Sequence, residues 1–169
     1  VSGTLITGSA IHYGYYMPFG LLTPASWVAL FTRRYMHLTG CTQDALFEIA
    51  QATRDYAVRN PAAFFYQRPM TRADYDAGKK ICNPLTLYDC CQESDGGCAI
   101  VVTTPERARH LKQPGVSIRG VAQCIAKDQE EMTSFYRPDI ARIPEMDLAA
   151  DEAYAQCGLS AQDIDAAVI

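Results

Sequence analysis

The chain has a single tryptophan, no surplus of basic residues and no apolar run of membrane-spanning length. A helical span needs about 20 consecutive apolar residues, so none is predicted. Fifteen Lys and Arg against nineteen Asp and Glu leave a formal charge of −4. Nucleic-acid binders carry a basic patch; none stands out, which argues against that class. The basic residues come in pairs, Arg33-Arg34 and Lys79-Lys80. Such pairs usually mark solvated helix faces, although they also suit a phosphate-bearing ligand. No basic segment followed by an apolar stretch opens the sequence, so no secretory signal is expected. Gly-x-Gly-x-x-Gly, the Walker A loop and the Gly-x-Ser-x-Gly elbow are missing. So is the Cys-x-x-Cys of redox proteins.

What is present is cysteine. Seven occur, at 41, 82, 90, 91, 98, 124 and 157. An odd number argues against a closed disulfide framework, and free thiols belong in a reducing compartment. A cytoplasmic protein is the expectation. Structural zinc wants paired short spacings. Here Cys90-Cys91 is followed only by Cys98, with no matching pair and no nearby His, so no metal is assigned. Cys98 begins the apolar run "CAIVVT" and reads as a packing residue. Cys91 precedes a Gly-containing turn and is read as facing a pocket. His37 and His110 lack an evident carboxylate partner and read as surface or satisfied histidines. His12 stays open.

With 169 residues, 49% of them apolar, the chain is long enough for one domain with a sizeable core. Its first 22 residues show neither helical nor strand periodicity. Thr23-Pro24 then starts a helix, with Trp27, Leu30, Phe31, Tyr35 and Leu38 predicted as its buried face and Gly40 as its stop. Thr42 caps a second helix that ends at Asn60-Pro61. Thr71-Arg72-Ala73-Asp74 has the form of a capping box. From there strands and helices alternate. "PLTLY", "CAIVVT", "VSIRGVAQ" and the terminal "DAAVI" read as strands, "PERARHLK" and residues 144–156 as helices, and Ser160 to Asp163 as a box-like turn. The alternation predicts an α/β arrangement with parallel pairing. An apolar strand at the very end predicts a fragment, because ligand sites in α/β sheets lie beyond the carboxyl ends of strands.

Several stretches, in order, resemble the thiolase superfamily, in the branch of sterol-carrier-protein-type thiolases and bacterial lipid-transfer proteins. They are "RRYMHLTG", "RNPAAFF", "PLTLYDCCQESDGGCAIVVTTPERAR", "SFYRPDI" and "AYAQCGLSAQDIDAAVI". The third carries most weight, since thiolases place a small-residue turn ending in Asp-Gly directly before a buried strand. The resemblance implies an α/β fold in which a helical loop domain is inserted in a layered core. This chain would be its central fragment. Residues 1–83 would be the loop domain, 84–115 the end of the N-terminal half and 116–169 the start of the C-terminal half.

The implied function is carbon–carbon bond cleavage or formation on acyl-CoA thioesters of a sterol side chain or other bulky lipid. The enzyme would be an acyltransferase or a steroid side-chain aldolase. Coenzyme A enters as part of the substrate, with no permanently bound cofactor. The implied partners are a second copy and, for the aldolase, an OB-fold and zinc-ribbon protein. The family's reactive cysteines and Gly-His motif have no counterpart in this sequence, so its main catalytic residues would lie outside it. Two positions carry over. Cys91, four residues before Asp95, stands where thiolases often have a serine touching the pantetheine arm of CoA. Tyr136 in "SFYRPD" matches the tyrosine acid/base chemistry of the aldolases, with Arg137 as an electrostatic helper. On residue type alone Tyr136 reads as a packing aromatic. The rival function is a non-catalytic CoA- or lipid-binding subunit that supports a partner.

Overall fold

The computed structural model describes residues 12–129 and 135–168. Most of the irregular opening, the His12 side chain and Ile169 at the end of the expected last strand lie outside that description. The chain divides into two compact units, Val1–Gln92 with Asp139–Ala141, and Glu93–Pro138 with Arg142–Ile169.

The first unit is built from capped helices. Helix α1 spans Pro24–Thr39 and stops at Gly40, whose φ of 72° is easy only for glycine. At its start the Ser26 hydroxyl accepts from the Thr23 amide at 3.2 Å and donates to the Thr23 carbonyl at 2.6 Å. Helix α2 spans Gln43–Arg59, with Thr42 Oγ1 accepting from the Asp44 amide. Helix α3 spans Arg72–Ala77 and carries the capping box in full. Thr71 Oγ1 accepts from the Asp74 amide at 3.2 Å, and Asp74 Oδ2 accepts from the Thr71 amide at 2.8 Å. A two-stranded antiparallel hairpin follows, β1 (Lys80–Cys82) and β2 (Leu85–Thr86), then a single 3₁₀ turn, Leu87–Asp89.

The predicted inner face of α1 is corrected. Ser26 and Ala29 are the buried residues, while Leu30, Tyr35 and Leu38 are exposed. Trp27 and Phe31 of the predicted face are half-buried, and the Trp27 indole donates to the Leu21 carbonyl at 2.9 Å. On α2, Ile49 is likewise exposed.

The second unit holds α4 (Pro105–Ala108) and α5 (Pro144–Cys157), the latter ended by Gly158 at φ 68°. The helix expected over "PERARHLK" is thus one turn long. Residues 119–126 form no regular element, and their start lies against the end of α5. A side-chain carbon at Gly120 would come within 2.6 Å of the Ala153 carbonyl oxygen, so only glycine fits there. The Val121 amide donates to Gln156 Oε1 at 2.9 Å, and Arg119 Nη2 donates to the Cys157 carbonyl at 3.3 Å.

Of the expected layered, parallel α/β core, only part is formed within this chain. Among the described residues the sheet is the antiparallel hairpin alone, and the structure is mostly helical. "CAIVVT" is in no strand, and Val101 is 85% exposed rather than buried on both faces. Cys98, expected to pack, is exposed too. A strand is held by the backbone groups of its neighbours, and no neighbour pairs with these residues here. No helix among the described residues is long and apolar enough to cross a membrane.

Candidate active site

The first unit converges on Tyr75, which is 0% exposed. Helix α3 carries it inward, where its ring meets Phe47 edge-on at 5.4 Å and stacks with Tyr88 at 6.1 Å. A buried phenol needs a partner for its hydroxyl, and Tyr75 has two. Its hydroxyl donates to Asp89 Oδ1 at 2.8 Å and accepts from Gln43 Nε2 at 2.8 Å. Gln43 Nε2 also donates to the Pro84 carbonyl at 3.1 Å. Asp89 Oδ2 collects the Thr86 amide at 2.7 Å and the Thr86 hydroxyl at 2.9 Å. Burial, followed by the hydrogen bond to Asp89, pushes the Tyr75 hydroxyl up to about 12. It therefore stays a neutral donor and is no base near neutrality.

Around this knot sit two cations. The Arg54 guanidinium lies 3.7 Å from the centre of the Phe65 ring, and its Nη1 donates to the Arg68 carbonyl at 3.1 Å. Arg72 binds Asp44 and Asp76 at the surface. Behind the 3₁₀ turn come the cysteines. Cys90 is half-buried, and its thiol is pushed up, first by burial and then by the Asp89 charge. That makes it a poor nucleophile, since the thiolate is the reactive form. Cys91, the residue matched to the CoA contact, is exposed at the end of this unit.

Tyr136 belongs to the second unit and is 65% exposed. Its neighbour Arg137 does not turn toward it. The Arg137 side chain, 6% exposed, forms a two-pronged pair with Glu145 in the first turn of α5 and donates from Nε to the Lys127 carbonyl at 3.0 Å. The electrostatic helper expected from sequence is thus an anchor. The guanidinium holds the Glu145 carboxyl down at about 2. Tyr136 is left on a turn tied to two other segments, with its ring open to solvent. His37 and His110 are exposed.

Tyr75, Gln43, Asp89 and the Arg137–Glu145 pair did not stand out in the sequence. Asp89 had one legible signal. Thr86-x-x-Asp89 repeats the spacing of the Thr71-x-x-Asp74 box, which places a carboxylate over a free backbone amide.

No family model matches the chain. It is 51% identical, over 93% of its length, to a steroid side-chain-cleaving aldolase of Thermomonospora curvata, covering 40% of that protein. It is 47% identical, over 90% of its length, to a 17-hydroxy-3-oxo-4-pregnene-20-carboxyl-CoA lyase of Mycobacterium tuberculosis, covering 39% of it. The chain therefore spans about 40% of the length of these curated relatives. Among solved structures, an Ltp2-ChsH2(DUF35) aldolase matches with a TM-score of 0.89 at 49% identity, over 96% of this chain and 43% of that one. An identity near one half, in register along nearly the whole chain and on the same backbone path, places the sequence: it belongs to the thiolase-like superfamily, in the branch of the steroid side-chain aldolases.

Proposed function

We propose that the protein containing this chain cleaves a carbon–carbon bond in a steroid side chain carried as a CoA thioester. The observation that carries this reading is the 51% identity over 93% of the chain to a side-chain-cleaving aldolase. The chemistry follows from the substrate named for the second relative. A hydroxyl on C17 and a CoA-activated carboxyl on C20 make a β-hydroxy thioester. Removing the hydroxyl proton lets the C17–C20 bond break. C17 becomes a ketone, and the bond's electron pair moves to C20 as a thioester enolate. A proton then returns to C20, releasing acyl-CoA. The enolate charge on the thioester oxygen calls for hydrogen-bond donors aimed at it.

Within this reading Tyr136 transfers a proton and Cys91 touches the pantetheine arm. Tyr136 is supported by its open ring on an anchored turn, which a substrate can reach. Cys91 is supported by its exposure at the end of the first unit. The working assembly includes a second copy and a DUF35-type partner, the latter supported by the matched complex.

The test is turnover of a steroid 17-hydroxy-20-carboxyl-CoA by the protein at its natural length, with and without a DUF35-type partner. Release of a 17-ketone and an acyl-CoA is expected, and no product under either condition ends the lyase reading. Tyr136→Phe keeps the ring and removes the hydroxyl; kcat should fall by about 10²- to 10⁴-fold, the usual worth of a proton-transfer group. An unchanged kcat makes Tyr136 a packing residue.

A further inference from the structure

Asp89 stands two residues before Cys91 and is the most heavily bonded carboxylate of the first unit. It accepts from Tyr75 at 2.8 and 3.0 Å, from the Thr86 amide at 2.7 Å and from the Thr86 hydroxyl at 2.9 Å. Tyr75 is in turn fixed by Gln43, which bridges from α2 to the hairpin through the Pro84 carbonyl. The Cys90 amide closes the turn on the Leu87 carbonyl at 3.3 Å. Beyond Gln92 the backbone carries no helix, turn or strand up to Thr104. Cys91 is therefore the first residue past the last fixed point of the hairpin. Whatever direction it takes is imposed from behind, by Asp89.

We infer that Tyr75, Asp89 and Gln43 are positioning residues that set the CoA-contacting edge at Cys91, although none of them touches CoA. This rests on the proposed pantetheine contact of Cys91. The physical case is one of preorganisation. A loop that must be ordered on binding loses affinity, and a loop already held does not. A charge-assisted network anchored by a fully buried ring is a strong means of holding it. Tyr75 contributes through its hydroxyl, while its ring serves the core. The two roles separate cleanly in Tyr75→Phe, which keeps the ring contacts to Phe47 and Tyr88 and leaves Asp89 with its Thr86 donors only.

The test is direct binding of CoA by the protein at its natural length, followed by calorimetry, for wild type, Tyr75→Phe, Asp89→Asn and Cys91→Ala. Circular dichroism and the melting curve establish that each variant is folded. Folded Tyr75→Phe should bind CoA about five-fold more weakly, the size expected for one lost hydrogen bond acting through preorganisation. It should raise KM for the thioester while leaving kcat within about two-fold, a split that a general loss of fold would not give. Asp89→Asn should weaken binding at least as much, and Cys91→Ala combined with Tyr75→Phe should be no weaker than the worse single variant. Folded Tyr75→Phe with wild-type affinity overturns the inference, as does a Tyr75 effect with none from Cys91→Ala. CoA binding that depends on Tyr75, in a protein that does not cleave the steroid thioester, supports the inference and sinks the lyase reading. A wild-type protein with no affinity for CoA sinks the inference.

Discussion

The two units are made by different physics. In the first, each helix carries its own start and stop, and a buried aromatic ring with a satisfied hydroxyl ties α2, α3 and the hairpin together. In the second, long stretches carry no regular secondary structure, with Ile100, Val101, Val116 and Ile118 in solvent. The first unit is held by contacts that the chain makes with itself. The second presents apolar backbone whose donors and acceptors need strands that are not paired with it here. Sheet-forming segments are specified by neighbours, helical ones largely by their own sequence.

Four experiments would break or sharpen that contrast. The largest effect belongs to Tyr75→Ala, which leaves a cavity among Phe47, Tyr88 and Asp89 and removes the hydroxyl that joins Gln43 to Asp89. Urea unfolding should show a loss of about 3–5 kcal/mol. A loss below 1 kcal/mol would mean that Tyr75 is not the centre of the unit. Next is Val101→Lys, which should act in opposite directions in two contexts. In residues 1–169 alone it should raise soluble yield, because it breaks an exposed apolar run. In the protein at its natural length it should lower stability by about 2 kcal/mol, the worth of a buried valine. The same direction in both would mean that the run is not covered in the larger protein.

The pH edges should also divide between the units. Tyr75 has its folded pKa raised to about 12 from an ordinary value of 10.0. Its stabilisation is complete below pH 10 and drains away as pH rises toward 12. Glu145 has its folded pKa lowered to about 2 from 4.5. Its contribution is present above pH 4.5 and is lost as pH falls toward 2. Tyr75→Phe should flatten the alkaline edge of the melting temperature and Glu145→Gln the acid edge, each leaving the other alone. A variant that moves the opposite edge would show the two units to be coupled. The smallest effect is Thr71→Ala, which removes the α3 cap and should cost about 1 kcal/mol by the same urea measurement.

Helix boundaries were legible because their causes are local. Thr23, Thr42 and Thr71 each satisfy amides within three residues, and Gly40 and Gly158 supply the left-handed turn that ends a helix. Which face of α1 packs was not legible. Periodicity weighs Leu30, Tyr35 and Leu38 above Ser26 and Ala29, yet the small pair is what is buried. The strands failed for a related reason. "CAIVVT" has the composition of a buried strand, but composition does not supply a partner. At the candidate site, Gln43 and Tyr75 are 32 residues apart and Tyr75 and Asp89 are 14. No short pattern joins residues at such separations. Arg137 was noticed for its place beside Tyr136, yet its role depends on Glu145 eight positions on.

The close approach of Gly120 to α5 has a wider consequence. Val121 and Arg119 are pinned to Gln156 and Cys157 at the end of that helix, and alternate residues from Gly120 to Ala126 are shielded while Val121 and Ile125 face out. A slip of one residue would turn every side chain over and drive Val121 into the Ala153 carbonyl. The segment's alignment is thus set by contacts with α5. Any strand that paired with it would take its phase from that helix.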